Sequence, residues 1–404
     1  MSNRNTKHSN HSFFNFFSSS FENFEKTGHQ LIKDLNLHPN LDVNIVKSYN
    51  RSSYLDQELK VSQSGIVEKR LSLSVLGDSG ATVHDLAQHA GYYRIEHTVD
   101  ARMFYFFFES RKAKTDPVVI WLTGGPGCSS SLALFYEMAF FKAHPDYVND
   151  FYITGESYAG HYIPLLLLEL IKGIRTKKIY INLKGFGIGN GLTDPAIQYK
   201  AYTDYALANK LISQSDYAQI NPQIPDCEEA IKECGTTGTT TCILALETCQ
   251  EIFEDIAGNI NYYDIRKQCE GSLCYDFSNM EDFLSESSVK TALGVPNNID
   301  FVSCSDAVHE AMLNDWMRDL EVGIPALLEQ RIELLVYAGE YDLICNWLGN
   351  SRWVDAMVWS GQKQFLATSN VSFVVGGKEA GVMKKYGLLT FLKVHDAGHM
   401  VPNR

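Results

Sequence analysis

FYITGESYAGHYIP, residues Phe151 to Pro164, is the stretch whose reading decides the fold of this chain. Phe151–Thr154 is aromatic and β-branched and is bounded by glycine, which reads as a strand. Gly155-Glu156-Ser157-Tyr158-Ala159-Gly160 follows, and then the apolar run Leu165–Ile171, long enough to open a helix. A serine on a tight turn between strand and helix is the context in which a G-x-S-x-G-like string carries chemical meaning. Such a turn lifts the hydroxyl clear of the backbone. Gly155 and Gly160, without side chains, let strand and helix approach each other. The helix N-terminus behind the serine supplies unpaired N–H groups and the positive end of a dipole. Taken alone, the string fits an ordinary serine in a glycine-rich turn equally well. The flanking strand and helix tip the reading toward a nucleophile.

Upstream, Val118–Leu122 (VVIWL) is a short apolar run that ends at glycines, the pattern of a buried parallel strand. It runs into Thr123-Gly124-Gly125-Pro126-Gly127-Cys128-Ser129-Ser130. A Gly-Gly-Pro-Gly turn exposes backbone N–H groups with no side chains in the way, as an oxyanion hole requires. A bare tight turn is the plain alternative, and a phosphate loop lacks its following lysine. Gly91–His97 and Ala101–Arg111 read as a strand hairpin, Ser131–Phe141 as a helix, and Ile179–Gly189 as another strand. Arg331–Ala338 is a strand ending at Gly339-Glu340-Tyr341-Asp342. Leu389–Val394 is the last strand, followed by His395-Asp396-Ala397-Gly398-His399.

Ser157, Asp342 and His399 therefore stand just past the ends of three strands, where open α/β sheets gather their active sites. Their chain order, Ser-Asp-His, is that of α/β-hydrolases. A serine hydroxyl needs a base to take its proton, and histidine can do so and then protonate the leaving group. A carboxylate fixes the histidine tautomer and stabilises the imidazolium. A turn histidine or a solvated aspartate is commonplace alone; all three in this order are not. No cofactor and no metal are called for.

The chain has 404 residues, 45% of them apolar, enough for one large core. A net charge of −13 argues against a nucleic-acid partner, and no apolar run has the length of a membrane span. Six of the nine cysteines fall between Cys227 and Cys274, with no Cys/His spacing that suits zinc. The intervals Cys227–Cys234–Cys242–Cys249 are 7, 8 and 7, a symmetry that suits a nested pair of bridges and an oxidising compartment. Reduced buried cysteines are the alternative, and the odd count leaves at least one thiol unpaired. Sequons stand at Asn10, Asn50 and Asn370. No signal peptide is recognisable in Met1–Glu25, whose aromatics are broken by Asn and Ser. Residues 1–65 read as a disordered or poorly ordered N-terminal region with one helical pattern near Leu31–Leu37. Residues 66–404 read as the catalytic domain, with a helical cap inserted at about 190–327.

The strings WLTGGPGCSS, GESYAGHYIP, GNGLTDP, VYAGEYDLICNWLGN and HDAGHMVP together resemble the plant serine carboxypeptidases, peptidase family S10. The resemblance implies an α/β-hydrolase fold, a mixed and mostly parallel sheet with a helical cap. It implies release of a C-terminal amino acid from peptides through an acyl-enzyme at acidic pH, with peptide or protein C-termini as partners. Ser157 would be the nucleophile, His399 the base and Asp342 its orienter. The oxyanion donors would be the backbone N–H groups of Gly125 and Tyr158. Glu156 matches the family's carboxylate-recognising glutamate, which must be protonated to donate. Thr123 stands where the family commonly has Asn, and Trp121 and Asn346 are further candidates at the carboxylate site. The bridges implied are Cys128–Cys304, Cys227–Cys249, Cys234–Cys242 and Cys269–Cys274, with Cys345 a free pocket thiol. The compartment implied is vacuolar or extracellular, and a homodimer fits the family. An acyltransferase on the same scaffold is the alternative activity.

The spacing departs from the family in one place. Gly125 and Ser157 are only 32 residues apart, and the strand the family carries between them is absent. That strand lies inside the sheet, beside the oxyanion strand. Its loss is expected to orphan backbone groups, at about 1–3 kcal/mol each, or to force re-pairing. The expectation from this is a truncated variant that folds poorly or is non-catalytic.

Overall fold

A computed structural model describes residues 66–70, 88–94, 102–108, 110, 116–129, 150–177, 181–235, 239–271 and 273–403. The expected disordered start, the helical patterns near Leu31–Leu37 and Ser131–Phe141, and the sequons at Asn10 and Asn50 lie outside these residues.

Three strands, β1 (Ile66–Arg70), β2 (Gln88–Arg94) and β3 (Arg102–Phe108), form an antiparallel sheet of their own. The expected hairpin is β2–β3, paired from Gln88↔Phe108 to Arg94↔Arg102. A second sheet holds β4 (Val118–Leu122), β5 (Phe151–Glu156), β6 (Leu183–Gly189), β7 (Glu333–Gly339), β8 (Val371–Val375), β9 (Lys378–Tyr386) and β10 (Leu389–Val394). Its order is β4-β5-β6-β7-β10-β9-β8. The first five are parallel and the last two antiparallel.

The long helix α1 (Ala159–Lys177) carries β5 back across the sheet to β6. Its Ile163, Leu166, Leu167, Leu170 and Ile171 repeat at helical spacing and are buried against Phe151 and Ile153 of β5. Each such side chain contributes about 1.5–3 kcal/mol on burial, so this helix–sheet seam anchors the turn that carries Ser157. At Gly155 a Cβ would come within 2.5 Å of Leu122 O and 2.7 Å of Ala159 Cβ, so only glycine lets β4, β5 and α1 meet there.

Between β6 and β7 every described element is helical. These are α2 (Pro195–Gln198), α3 (Ala201–Ala208), α4 (Gln214–Ile220), α5 (Ile224–Cys234), α6 (Thr239–Ala257), α7 (Ser278–Ser285), α8 (Ser287–Leu293), α9 (Asp306–Met312) and α10 (Ile324–Glu329). Their apolar side chains form a second core around Tyr158, Tyr202, Tyr205, Ile252 and Leu343. Two short helices, α11 (Trp347–Ala356) and α12 (Gln362–Ala367), follow β7.

The sheet is interrupted where the spacing shortens. β4 pairs directly with β5, from Val118↔Phe151 to Leu122↔Gly155. Among the described residues β4 is the edge of the seven-stranded sheet, and β1–β3 do not join it. Val119 and Trp121 of this edge are 55% and 43% exposed. The inner side of β4 is thus fully paired with β5, and among the described residues its outer side carries no partner strand.

Candidate active site

Ser157 sits immediately after β5 with φ +67°, a left-handed conformation that an L-residue adopts only when its surroundings enforce it. Here the enforcement is by hydrogen bonds. Ser157 N–H donates to Gly189 O at 3.0 Å, and Ser157 O accepts from Gly160 and Leu192 at 2.9 and 3.1 Å. The turn is thereby pinned between the end of β6 and the start of α1.

Asp342 and His399 follow β7 and β10, which pair in register up to Gly339↔Val394. His399 Nδ1 lies 2.9 Å from Asp342 Oδ2, and both residues are buried. Tyr263, in the cap, holds the histidine loop: its carbonyl accepts from His399 N–H at 2.7 Å and its ring stands 5.0 Å from the imidazole. The neighbouring Tyr262 carbonyl accepts from Leu343 and Ile344 N–H, so one cap turn clamps both loops.

Asp342 Oδ2 also accepts from Asn190 Nδ2 at 2.6 Å and from Cys345 N–H at 3.3 Å. Asn190 is fully buried, and its Oδ1 accepts from Gly339 N–H. It was not among the residues singled out from sequence. The signal was the Gly189-Asn190-Gly191 string at a strand end, on the same sheet edge as the other loops. Tyr263 gave no such signal, because the cap turn that carries it is remote in sequence from both loops.

Burial disfavours the His399 imidazolium, but the charge and hydrogen bond of Asp342, with the Glu156 charge, outweigh it and raise the group above its ordinary value. Glu156, at the end of β5, is 8% exposed rather than a surface glutamate. Burial pushes it up to about 7; Asp342 adds to this, while His399 and a backbone hydrogen bond from Val401 oppose it. Glu156 and His399 thus feel each other's charge. A neutral His399 beside a protonated Glu156 holds the same number of protons as an imidazolium beside a carboxylate, so the two titrate as a pair.

Gly124 faces the nucleophile turn: a Cβ there would lie 2.4 Å from Tyr158 N and 2.6 Å from Ser157 Cβ. Only glycine lets the end of β4 pack this closely against the Tyr158 amide. Thr123 is exposed at the end of β4. Trp121 lies on the exposed sheet face beside Thr154. Asn346 is buried as the N-cap of α11, its Oδ1 accepting from Gly349 N–H and its Nδ2 donating to Leu343 O. Glu156 is in electrostatic contact with His399 and Asp342.

Four disulfides are formed: Cys128–Cys304, Cys227–Cys249, Cys234–Cys242 and Cys269–Cys274. Cys345 is free and buried, and burial together with the Asp342 and Glu156 charges pushes its thiol well up. A thiol held protonated is a poor nucleophile. Among the described residues there is no cluster of acidic, His or Cys side chains suited to a metal, and no helix long and apolar enough to cross a membrane.

The serine carboxypeptidase family model matches residues 80–139 and 138–404, two stretches that meet where the motif spacing is short. Serine carboxypeptidase-like 48 of Arabidopsis thaliana is 52% identical over 444 aligned positions, covering 93% of this chain and 86% of that protein. Those positions outnumber the 404 residues here, so the relative carries sequence without a counterpart in this chain. Serine carboxypeptidase 3 of Oryza sativa subsp. japonica is 53% identical, covering 85% of this chain and 81% of that protein. The prohormone-processing carboxypeptidase Kex1 of Saccharomyces cerevisiae superposes with a TM-score of 0.68 at 22% identity, covering 78% of this chain and 88% of that one, a likeness of fold. Motifs, topology and relatives agree that this chain belongs to the serine carboxypeptidase family, peptidase family S10.

Proposed function

We propose that this chain is a serine-type carboxypeptidase that removes the last residue of a peptide, with an acidic optimum. The observation that carries the reading is the Asp342–His399 contact at 2.9 Å; the left-handed turn of Ser157 after β5 and a buried Glu156 pushed up to about 7 support it. In this mechanism neutral His399 takes the Ser157 proton as Oγ attacks the last peptide carbonyl. The N–H groups of Gly125 and Tyr158 receive the oxyanion. Collapse breaks the C–N bond, and the imidazolium gives its proton to the departing amine. Water then adds to the acyl ester, His399 takes its proton, and Ser157 is regenerated as the shortened peptide leaves. A protonated Glu156 donates to the free α-carboxylate of the substrate, which favours pH below about 7. Transfer of the acyl group to an alcohol instead of water is the alternative chemistry for the same acyl-enzyme. Four disulfides fit a vacuolar or extracellular setting, and the exposed Asn370 sequon fits glycosylation there.

A second reading, a non-catalytic chain, is favoured by the open β4 edge. The test is expression in a secretory host and incubation with a blocked dipeptide at about pH 5. Release of the C-terminal amino acid, absent from Ser157→Ala and from the dipeptide amide, supports the first reading. A folded protein that releases nothing supports the second.

A further inference from the structure

Asp315 stands outside the triad, in the cap segment between the Cys304 bridge and α10, and its side chain is 14% exposed. Its Oδ2 accepts from Tyr158 Oη at 2.8 Å and lies 3.2 Å from Nδ1 of the fully buried His161. Arg318 Nη1 stands 3.7 Å from its Oδ1. Burial would push this carboxyl up, but His161, Tyr158 and Arg318 hold it below its ordinary value. It is therefore an ionised acceptor. Tyr158 in turn stacks on His161 with ring centres 4.6 Å apart, and Trp316 flanks it at 5.3 Å.

The segment that carries Asp315 is itself fixed to the loops around the site. Cys304 is bonded to Cys128, Ser305 N–H donates to Gly127 O, and Leu320 N–H donates to Thr193 O. One end is thus tied to the glycine turn after β4 and the other to the loop after β6. Between these ties, Asp315 reaches the side chain of the residue that follows the nucleophile. Gly124 packs directly against the Tyr158 amide, where a Cβ would come within 2.4 Å of the nitrogen. The Tyr158 side chain is buried in the helical core. A hydrogen bond on that side chain restrains rotation of residue 158, and with it the direction of its N–H.

We propose that Asp315 is a positioning residue: through Tyr158 Oη it holds the Tyr158 N–H in the direction needed to receive the oxyanion. This rests on the carboxypeptidase reading above. Small misplacements of a catalytic group cost up to about 100-fold in rate. Loss of an oxyanion donor outright costs about 100- to 1,000-fold.

The test compares wild type, Asp315→Ala, Asp315→Asn, Tyr158→Phe and the Asp315→Ala/Tyr158→Phe double variant. The readouts are kcat and KM on a blocked dipeptide, and affinity for a peptide aldehyde, whose hemiacetal needs the oxyanion hole. Affinity for a blocked amino acid that offers only a free carboxylate is the control. Asp315→Ala and Tyr158→Phe should each lower kcat and aldehyde affinity about 10- to 100-fold, with KM and control affinity within about twofold. The double variant should be no worse than Asp315→Ala. Asp315→Asn, which keeps an acceptor for Tyr158 Oη, should recover most of the loss and covers the case in which Asp315→Ala folds poorly. Unchanged kcat and aldehyde affinity in Tyr158→Phe and Asp315→Ala, or equal loss of aldehyde and control binding, would overturn the proposal. A wild type that hydrolyses nothing would overturn the carboxypeptidase reading instead.

Discussion

Glu156→Gln removes the carboxyl whose protonation the proposed substrate binding requires, together with the charge that helps to raise His399. Gln keeps the shape and cannot ionise. The native carboxyl titrates at about 7 against an ordinary 4.5, a difference worth roughly 3 kcal/mol at about 1.4 kcal/mol per pH unit. Between these values the folded protein keeps its proton while the unfolded chain has lost it. The unfolded state thus binds fewer protons, and stability falls as pH rises. This contribution is intact below about pH 4.5 and fully lost above about pH 7. The assay is urea unfolding of wild type and Glu156→Gln at about pH 4 and about pH 8, beyond either end of the titration. Using the difference between the two proteins cancels Asp319 and Glu321, which burial also raises, to about 7 and about 8. That difference should move by roughly 3 kcal/mol in favour of the Gln variant at the higher pH. A difference that stays constant across pH would refute a buried, uncharged Glu156 and remove the basis for an acidic optimum.

Three further outcomes follow from the geometry. Asn190→Ala strips Asp342 Oδ2 of its 2.6 Å donor and Gly339 N–H of its acceptor; it should cost on the order of 1–3 kcal/mol per orphaned group and lower kcat, by urea unfolding and steady-state kinetics. Cys304→Ser opens a bridge across 176 residues that ties the glycine turn to the cap; a loss of about 2–4 kcal/mol is expected, and an unchanged melting temperature would contradict it. Val119→Lys places a charge on the exposed β4 edge strand; light scattering should show less self-association, with no loss of melting temperature.

The parts of the fold legible in sequence were those with local chemistry. Val118–Leu122 and Leu389–Val394 match β4 and β10 residue for residue, because an apolar run bounded by glycine or a polar turn has one plausible state. The β8–β9 hairpin was overlooked although Gly376-Gly377 joins its strands with φ +58° and +79°, a two-residue turn signal. Its Val371, Val374 and Val375 are all exposed, so there was no alternation to mark the strand. Asp342 and His399, which the structure brings to 2.9 Å, could be picked out because each follows closely on a strand end. The capping role of Asn346 on the helix that starts at Trp347 was not read from sequence, where the residue stood only as a site candidate implied by the resemblance. Asp315 and Tyr263 act through the cap, and contacts between distant segments leave no mark on local sequence.

The central claim is that Ser157, His399 and Asp342 form a working triad although β4 stands at the edge of the described sheet. Its most direct test is intact-mass analysis after treatment with a fluorophosphonate. The account predicts a single adduct, mapped to Ser157, absent from Ser157→Ala and formed far more slowly in His399→Ala. A folded wild-type chain that takes up no adduct, or takes it up equally fast in His399→Ala, would contradict it.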